Sequence, residues 1–327
     1  MRVSERMENV IFILFLMILL FVSSAFVIPD RYQVYDVSAV YKTASQLEEE
    51  RENSLDVLFA GDSLVYTSVS PLQMYHEQGF ASYNCGTASQ RICDSYTLIQ
   101  NAFDHQNLKL VVLDISNLTR PLGIYEEEDP ALTVLNRIFP VFHYHLFYKL
   151  FSSPKELLFP TEKKMSYGYM YKGYSPKGGV RSYKRKSSEE RKKETMISGD
   201  ALSYLQKIQD LCNAHDCALL LMNIPSPLNW NADCHDQVMN LIGDDFTYMD
   251  LNEYVKDIGI DWSKDTFDRG DHLNTAGAKK VSAYLGSYIK DHYSVSDHRN
   301  DPSYEEWDRL YEKAYSGAAG EPLASHT

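Results

Sequence analysis

The chain has 327 residues, of which 44% are hydrophobic and 24% are charged. This composition is typical of a globular protein and excludes a disordered chain. The formal net charge of −13 argues against a nucleic-acid partner, because phosphate binding needs a basic surface.

The first predicted element is the run VIFILFLMILLFVSSAFVI, residues 10–28, which carries no charge. With a rise of about 1.5 Å per residue, this run is long enough to cross the hydrocarbon core of a membrane. Arg2 and Arg6 precede it and acidic residues follow it, so we expect residues 1–9 to be cytoplasmic. The main domain then lies outside a cell membrane that the chain crosses once. The small residues 23–25 leave a cleaved signal peptide as the alternative, and both interpretations place the body outside the cytoplasm.

The rest of the chain divides by composition into a stalk, a folded domain and a C-terminal segment. Residues 29–53 are rich in Glu, Tyr and Gln and predict a stalk. Residues 54–295 carry the strand and helix patterns of a domain, which the tyrosine-rich and charged insert 120–196 interrupts. The last segment, 296–327, repeats aromatic residues at helical spacing and predicts an amphipathic helix anchored by Trp307.

Short apolar runs alternate with helical patterns through the domain. The predicted strands are residues 55–59, 80–84, 108–115, 218–224 and 246–251, and the predicted helices are residues 71–78, 93–103, 199–213 and 275–290. This alternation predicts a three-layer α/β/α fold with a mainly parallel sheet covered on both faces. Long connections gather beyond the carboxyl ends of such strands, so we expect the insert either to form a lid or substrate wall or to pack a small core of its own.

The stretch VLFAGDSLVY, residues 57–66, places polar residues where the first strand ends. Gly61 lets the chain turn sharply, because it has no Cβ. Ser63 then opens the next segment, where its hydroxyl is a candidate nucleophile and its N–H is half of an oxyanion site. The alternative is that Asp62 or Ser63 only caps a helix.

A histidine flanked by acidic residues lies far along the chain, in DTFDRGDHLNTAG, residues 265–277. Asp268 and Asp271 precede His272, and a helix follows it. A nucleophilic serine needs a base, and the base needs a carboxylate that fixes its tautomer and stabilises the imidazolium. These residue types predict a triad of Ser63, His272 and an aspartate.

The loop MNIPSP, residues 222–227, ends the fourth strand at the same edge of the sheet. Ser226 is a candidate substrate contact there. The alternative is that the two prolines only shape the loop.

Three motifs, in this order, resemble those of the SGNH/GDSL hydrolases: GDSL after the first strand, a glycine after the second strand in YNCGTASQ, and DHLNTAG near the C-terminus. The chain looks like the membrane-anchored SGNH-like proteins of bacterial cell envelopes, which are related to proteins that help to acylate wall polymers. The resemblance spans residues 54–293. It implies a flavodoxin-like arrangement of the sheet and catalysis without a metal or an organic cofactor.

The resemblance also implies roles for individual residues. Ser63 matches the nucleophile of the family, His272 its general base, and Gly86 the glycine whose N–H helps to hold the oxyanion. The asparagine that usually completes this oxyanion site has two candidates here, Asn117 in LDISNLT and Gln90, because the Gly-x-Asn-Asp sequence of the family is absent.

The triad aspartate departs from the spacing of the family. The family places it three residues before the histidine, where this chain has Arg269. Asp268 lies four residues before His272, and we expect Gly270 to absorb the extra residue. Asp271 stays an alternative, although adjacent side chains on an extended loop point to opposite sides.

The five cysteines are weak evidence for an exported chain, because an odd number leaves at least one cysteine without a disulfide partner. Cys212 with Cys217 and Cys85 with Cys93 are candidate disulfides, and buried free thiols are the alternative. No pair has metal-site spacing.

These features predict an extracytoplasmic serine esterase or acyltransferase that acts on an ester of an envelope glycan or cell-wall polymer. Its partners would be that polysaccharide or an acyl donor, the membrane through the N-terminal helix, and a membrane acyltransferase. The alternative is a non-catalytic SGNH-like scaffold in a polymer-modifying complex, which the displaced aspartate and the missing Gly-x-Asn-Asp favour. A Rossmann-like nucleotide binder is disfavoured, because no Gly-x-Gly-x-x-Gly follows the first strand.

Overall fold

The computed structural model describes residues 3–27, 46–119, 139, 170–184, 199–243 and 245–315. The chain divides into two compact units, one of residues 1–42 and 123–165 and one of residues 43–122 and 166–327. All of the predicted site residues belong to the second unit.

The first unit contains helix α1, Val3–Val27. Its stretch Met7–Ser24 has a mean hydropathy of 2.3 and is almost entirely exposed. This stretch spans about 27 Å at the usual rise of a helix, which is close to the thickness of a hydrocarbon core. The length and composition of α1 therefore fit a membrane anchor or a signal peptide. Within the same unit the ring of Phe21 contacts the ring of Phe139, with centroids 4.9 Å apart.

The second unit is built on a five-stranded parallel sheet. Its strands are β1 (Val57–Ala60), β2 (Ser82–Asn84), β3 (Leu110–Asp114), β4 (Ala218–Asn223) and β5 (Thr247–Asp250). The order across the sheet is β2-β1-β3-β4-β5, and every neighbouring pair is parallel. The predicted three-layer α/β/α fold with a parallel sheet is confirmed, and all five carboxyl ends meet at one edge.

Helices connect and cover these strands. They are α2 (Ser63–Ser68), α3 (Pro71–Gln78), α4 (Ile92–Phe103), α5 (Gly199–Ala214), α6 (Ala232–Ile242), α7 (Val255–Ile258), α8 (Thr275–His292) and α9 (Glu305–Tyr315). Each predicted strand and helix of the domain lies within two residues of its expected bounds. Helix α6 is not predicted from the sequence, because its apolar face is only three residues, Cys234, Val238 and Ile242, at four-residue spacing.

The two faces of the sheet are covered by different helices. On one face, Phe59, Val112 and Leu220 pack in a core with Val281 and Leu285 of α8. On the other face, α4 and α5 pack against each other and against β1 and β4. Strands buried on both sides need apolar residues at successive positions, which is why they are readable in the sequence as short apolar runs.

Three segments outside the sheet meet at a buried ion pair. The Nζ of Lys172, near the end of the insert, lies 2.7 Å and 2.8 Å from the carboxylate oxygens of Glu50. The same Nζ lies 4.6 Å from the ring centroid of Trp307 in α9. Trp307 is buried, as predicted for the anchor of this helix. Residues 46–50, which the sequence analysis places in the stalk, thus lie on the folded body.

The five cysteines are free thiols in the structure, and neither candidate disulfide is formed. Cys85, Cys212, Cys217 and Cys234 are buried, so they act as small apolar residues of the core. Burial raises the pKa of Cys85 well above its usual range, which makes that thiol unreactive.

Candidate active site

Ser63 is the first residue of α2 and lies directly beyond the carboxyl end of β1. The turn between them needs a glycine. Gly61 has a φ of +151°, and a Cβ there would lie 2.5 Å from a side-chain carbon of α2 and 2.8 Å from the Cβ of Asp114. The helix is capped by Asp62, whose Oδ1 accepts a hydrogen bond from the N–H of Leu64 at 2.8 Å. The capping role therefore belongs to Asp62 and not to Ser63.

His272 lies in a loop that precedes α8. Thr266 and Leu273 form an antiparallel bridge across this loop, and we call residues 266–273 the base loop. The Nε2 of His272 lies 2.8 Å from the Oγ of Ser63, and its Nδ1 lies 2.6 Å from the Oδ2 of Asp268. When Nδ1 donates its hydrogen to the carboxylate, Nε2 is left to accept the serine proton, as a general base must.

The base loop keeps both predicted carboxylates near the imidazole. Arg269 and Gly270 have φ values of +73° and +90°, and these two left-handed residues absorb the extra residue that precedes His272. Asp268 contacts Nδ1 at 2.6 Å, whereas the nearest oxygen of Asp271 lies 3.7 Å away, beyond hydrogen-bond distance. The N–H of His272 also donates to Asp268, at 2.8 Å. Asp268 is therefore the carboxylate that orients the imidazole. Asp271 also lies near the imidazole, closer than adjacent side chains on an extended loop would lie.

The loop after β4 holds the base loop on one side. Ser226 is fully buried, and its hydroxyl donates to the carbonyl oxygens of Asp271 at 2.8 Å and of Gly270 at 3.3 Å. Asn229 donates from Nδ2 to the Oγ of Ser226 at 2.9 Å and to the Oδ1 of Asp271. The structure thus uses Ser226 to hold the backbone of the base loop, and the substrate contact considered for it stays a prediction.

The end of the insert holds the base loop on the other side. In the described segment 170–184, the N–H of Arg181 donates to the carbonyl oxygen of Thr266 at 2.9 Å. A Cβ on Gly270 would lie 2.8 Å from the ring of Tyr183, so the segment packs closely on the base loop. Apart from this segment and residue 139, the insert 120–196 lies outside the described residues. The two predictions made for it, a lid or substrate wall and a small core of its own, therefore stay predictions.

Asn274 fastens the same region from the start of α8. Its Oδ1 accepts a hydrogen bond from the N–H of Gly277, and its Nδ2 donates to the carbonyl oxygens of Gly179 and Lys264 at 2.9 Å and 2.7 Å. In the sequence this residue is marked only by its place in DHLNTAG, directly before the predicted helix 275–290. Its position two residues after His272 is the only sequence feature that points to it. Its contacts with Gly179 and Lys264 join distant segments, which no local sequence pattern predicts.

One predicted oxyanion donor is engaged within the fold. The N–H of Gly86 donates to the Oδ1 of Asn84 at 2.9 Å. Asn84 is fully buried, and its Nδ2 also donates to two carbonyl oxygens in and after α2. Among the described residues we find no acceptor for the N–H of Ser63, which at the first helical position has no intrahelical partner. This N–H is therefore available to donate to a group bound beside the Ser63 hydroxyl.

The two further candidates for the oxyanion site are Gln90 and Asn117, and the structure describes the side chain of Gln90 only. Gln90 is buried, and its Nε2 donates to the Oγ of Ser95 at 2.8 Å, so its amide supports the start of α4. Asn117 belongs to a short 3₁₀ helix, Ser116–Thr119, and its side chain lies outside the described part of the chain.

Two carboxylates are buried behind Ser63, those of Asp62 and Asp114. Asp114 ends β3 and accepts hydrogen bonds from the N–H groups of Ser116 at 2.9 Å and Ile224 at 2.8 Å. Burial, together with the nearby charge of Asp62, raises the pKa of Asp114 to about 7. In mildly acidic solution Asp114 therefore carries a proton, which reduces the negative charge behind the serine.

A cluster of candidate cation ligands coincides with the triad. Asp268, Asp271 and His272 offer ligand atoms that lie within 4.8 Å of one another. In the structure Nδ1 of the imidazole is bonded to Asp268 and Nε2 to Ser63. A cation here would have to replace one of these hydrogen bonds, so we assign the cluster to the triad.

Comparison with known proteins finds similarity among solved structures only. No family model matches the chain, and no curated protein matches it. A putative acylhydrolase from Bacteroides fragilis is similar over 79% of this chain and 99% of its own, with 11% identity and a TM-score of 0.42. A GDSL-like lipase from Bacteroides thetaiotaomicron is similar over 78% of this chain and 99% of its own, with 10% identity and a TM-score of 0.42.

Proposed function

We propose that the chain is an SGNH-type serine esterase or acyltransferase. The observation that carries this proposal is the line of contacts from Ser63 Oγ to His272 Nε2 at 2.8 Å and from His272 Nδ1 to Asp268 at 2.6 Å. Nucleophile, base and orienting carboxylate are all within hydrogen-bond distance, which is the geometry that activates a serine.

The reaction follows from these contacts. Ser63 Oγ attacks the ester carbonyl carbon while His272 Nε2 takes the hydroxyl proton, and Asp268 stabilises the resulting imidazolium. The N–H of Ser63 donates to the oxyanion. When the tetrahedral intermediate collapses, the imidazolium gives its proton to the departing alkoxide and an acyl-enzyme remains. Water, or a hydroxyl of an acceptor, then attacks the acyl carbon while His272 takes its proton. The bond from the acyl carbon to Ser63 Oγ breaks, and the imidazolium returns the proton to Ser63.

The substrate we propose is an ester on an envelope glycan or cell-wall polymer outside the cytoplasm. Support comes from α1, whose length and composition fit an anchor that would hold the domain beside such material. The acidic net charge of −13 supports a neutral or positively charged polymer over a polyanion. On this proposal a membrane acyltransferase supplies or receives the acyl group.

A non-catalytic scaffold is the second candidate function. It is favoured by the bond between the Gly86 N–H and Asn84 Oδ1, because that donor would have to leave its partner to reach an oxyanion. A site with one ready donor binds a carbonyl group more weakly than a site with two or three.

The test is covalent labelling of the full chain in mild detergent with a fluorophosphonate probe, read by intact mass. We expect one adduct on the wild type, none on Ser63→Ala, and strongly slowed labelling of His272→Ala. Ser294→Ala, which alters an exposed serine after α8, is the matched control and should label like the wild type. Folded wild-type protein that takes up no probe would favour the scaffold.

A further inference from the structure

The base loop holds a second carboxylate close to the histidine. Nδ1 of His272 lies 2.6 Å from Asp268 and 3.7 Å from Asp271. A shift of about 1 Å would bring Asp271 to hydrogen-bond distance from the same nitrogen. The structure therefore has to keep one of two competing carboxylates away from the imidazole.

Asn229 is the residue that hydrogen-bonds the side chain of Asp271. One hydrogen of its Nδ2 goes to the Oδ1 of Asp271, and the other goes to the Oγ of Ser226 at 2.9 Å. Ser226 donates in turn to the carbonyl oxygen of Asp271 at 2.8 Å, and its N–H donates to Asn252 Oδ1 at 2.9 Å. Because Ser226 is fully buried, this set of hydrogen bonds is anchored in the fold and fixes the direction of the Asn229 amide.

The two carboxylates differ in what surrounds them. The side chain of Asp268 is 24% exposed and that of Asp271 is 42% exposed. A hydrogen bond from a neutral amide to a partly exposed carboxylate is modest, and we take its effect on a competing equilibrium as about fivefold. That is enough to bias the choice between two groups that approach the same nitrogen.

Accepting the proposed role of His272 as general base, we propose that Asn229 is a positioning residue that keeps Asp271 away from His272, so that Asp268 alone orients the imidazole. Asp271 is then a reserve carboxylate. Asp271 accepts the hydrogen bond from His272 Nδ1 only when two conditions hold. The Asp268 carboxylate must be removed, and Asn229 must no longer hydrogen-bond Asp271.

The test compares variants in which Asp268 is already replaced. Asp268→Asn/Asn229→Ala should react with the fluorophosphonate about fivefold faster than Asp268→Asn alone. Adding Asp271→Asn should remove this gain. Asn240→Ala, at an exposed asparagine of α6, is the matched control and should give no gain. A gain that persists with Asp271→Asn would overturn the proposal.

A second measurement does not depend on the reactivity of Ser63. The Nδ1 proton of a histidine bonded to a carboxylate gives a far-downfield NMR resonance, which can be followed in the ¹⁵N-labelled full chain. Asp268→Asn should lose this resonance, Asp268→Asn/Asn229→Ala should regain it, and adding Asp271→Asn should abolish it again. Failure of the resonance to return would overturn the role of Asn229. If wild-type protein takes up no probe while the resonance still returns in Asp268→Asn/Asn229→Ala, the proposed function is contradicted and the role of Asn229 is supported.

Discussion

The two sides of the candidate site are built in different ways. The nucleophile side consists of Gly61, Asp62 and Ser63 with the fully buried Asn84 and Asp114 behind them. Its position follows from the end of β1, the turn at Gly61 and the cap of α2. The base side is the base loop, in which the side chains of His272 and Asp268 are 17% and 24% exposed. It is held by side-chain and backbone bonds from segments that are distant in the chain.

Because the two sides differ in burial, substitutions on them should have different consequences. Groups on the nucleophile side are packed in the core, so replacing them should cost folding free energy. Groups on the base side are partly exposed and act on the orientation of one imidazole, so replacing them should lower reactivity while the fold survives.

The largest effect should come from Asp268→Asn. The variant keeps the size of the side chain but removes the carboxylate that fixes the tautomer of His272 and stabilises its protonated form. We expect the labelling rate of Ser63 to fall about 1,000-fold or more, with a small change in Tm because the site is partly exposed. Asp271→Asn is the matched control, since its oxygen lies 3.7 Å from Nδ1, and it should change the rate less than about threefold. Equal losses in the two variants would show that the loop does not distinguish its carboxylates.

Gly61→Ala should have the largest effect on stability. The added Cβ would lie 2.5 Å from a side chain of α2 and 2.8 Å from Asp114, at a φ of +151°. We expect the free energy of unfolding to fall by about 3 kcal/mol, measured by thermal unfolding in detergent. Gly259→Ala is the control, because Gly259 also has a positive φ, +77°, but no atom lies within 4 Å of an added Cβ. That variant should lose about 1 kcal/mol. A similar loss in both would mean that the backbone conformation, and not close packing, makes Gly61 necessary.

The sequence predicts the nucleophile side better than the base side, and the reason is physical. A buried parallel strand leaves a continuous apolar run, so the ends of β1 and β3 can be found locally, and with them the turn at Gly61. The choice between Asp268 and Asp271 depends on the positive φ at Arg269, a residue with no special preference for it. The contact of Asn229 with the base loop joins residues 42 positions apart, and no local pattern in the sequence encodes it.

The buried acid Asp114 should make stability depend on pH. Burial raises its pKa to about 7, so the folded state holds this proton more tightly than the unfolded state does. Its stabilising contribution is therefore fully present below about pH 4 and is lost as the pH rises through about 7. We expect Tm to fall between pH 5 and pH 8 more steeply in the wild type than in Asp114→Asn. Parallel curves for the two proteins would mean that Asp114 titrates as an ordinary carboxyl group.

Ser226→Ala should have the smallest effect, and it tests directly whether the contacts to the base loop matter for reactivity. The variant removes the hydroxyl that donates to the carbonyl oxygens of Asp271 and Gly270, while the backbone bond from residue 226 to Asn252 is kept. The variant also removes the acceptor of one Asn229 hydrogen bond. Loss of these contacts allows the base loop to move, and we expect the labelling rate to fall about fivefold. The matched control is Ser282→Ala, a buried serine of α8 whose hydroxyl accepts from the N–H of Ser70 near the nucleophile side. That control should lower Tm by at least as much as Ser226→Ala and leave the labelling rate nearly unchanged. If instead the labelling rates of both variants fall in proportion to their loss of Tm, the labelling rate reports only general stability. The hydrogen bonds from Ser226 to the base loop would then have no specific role in reactivity.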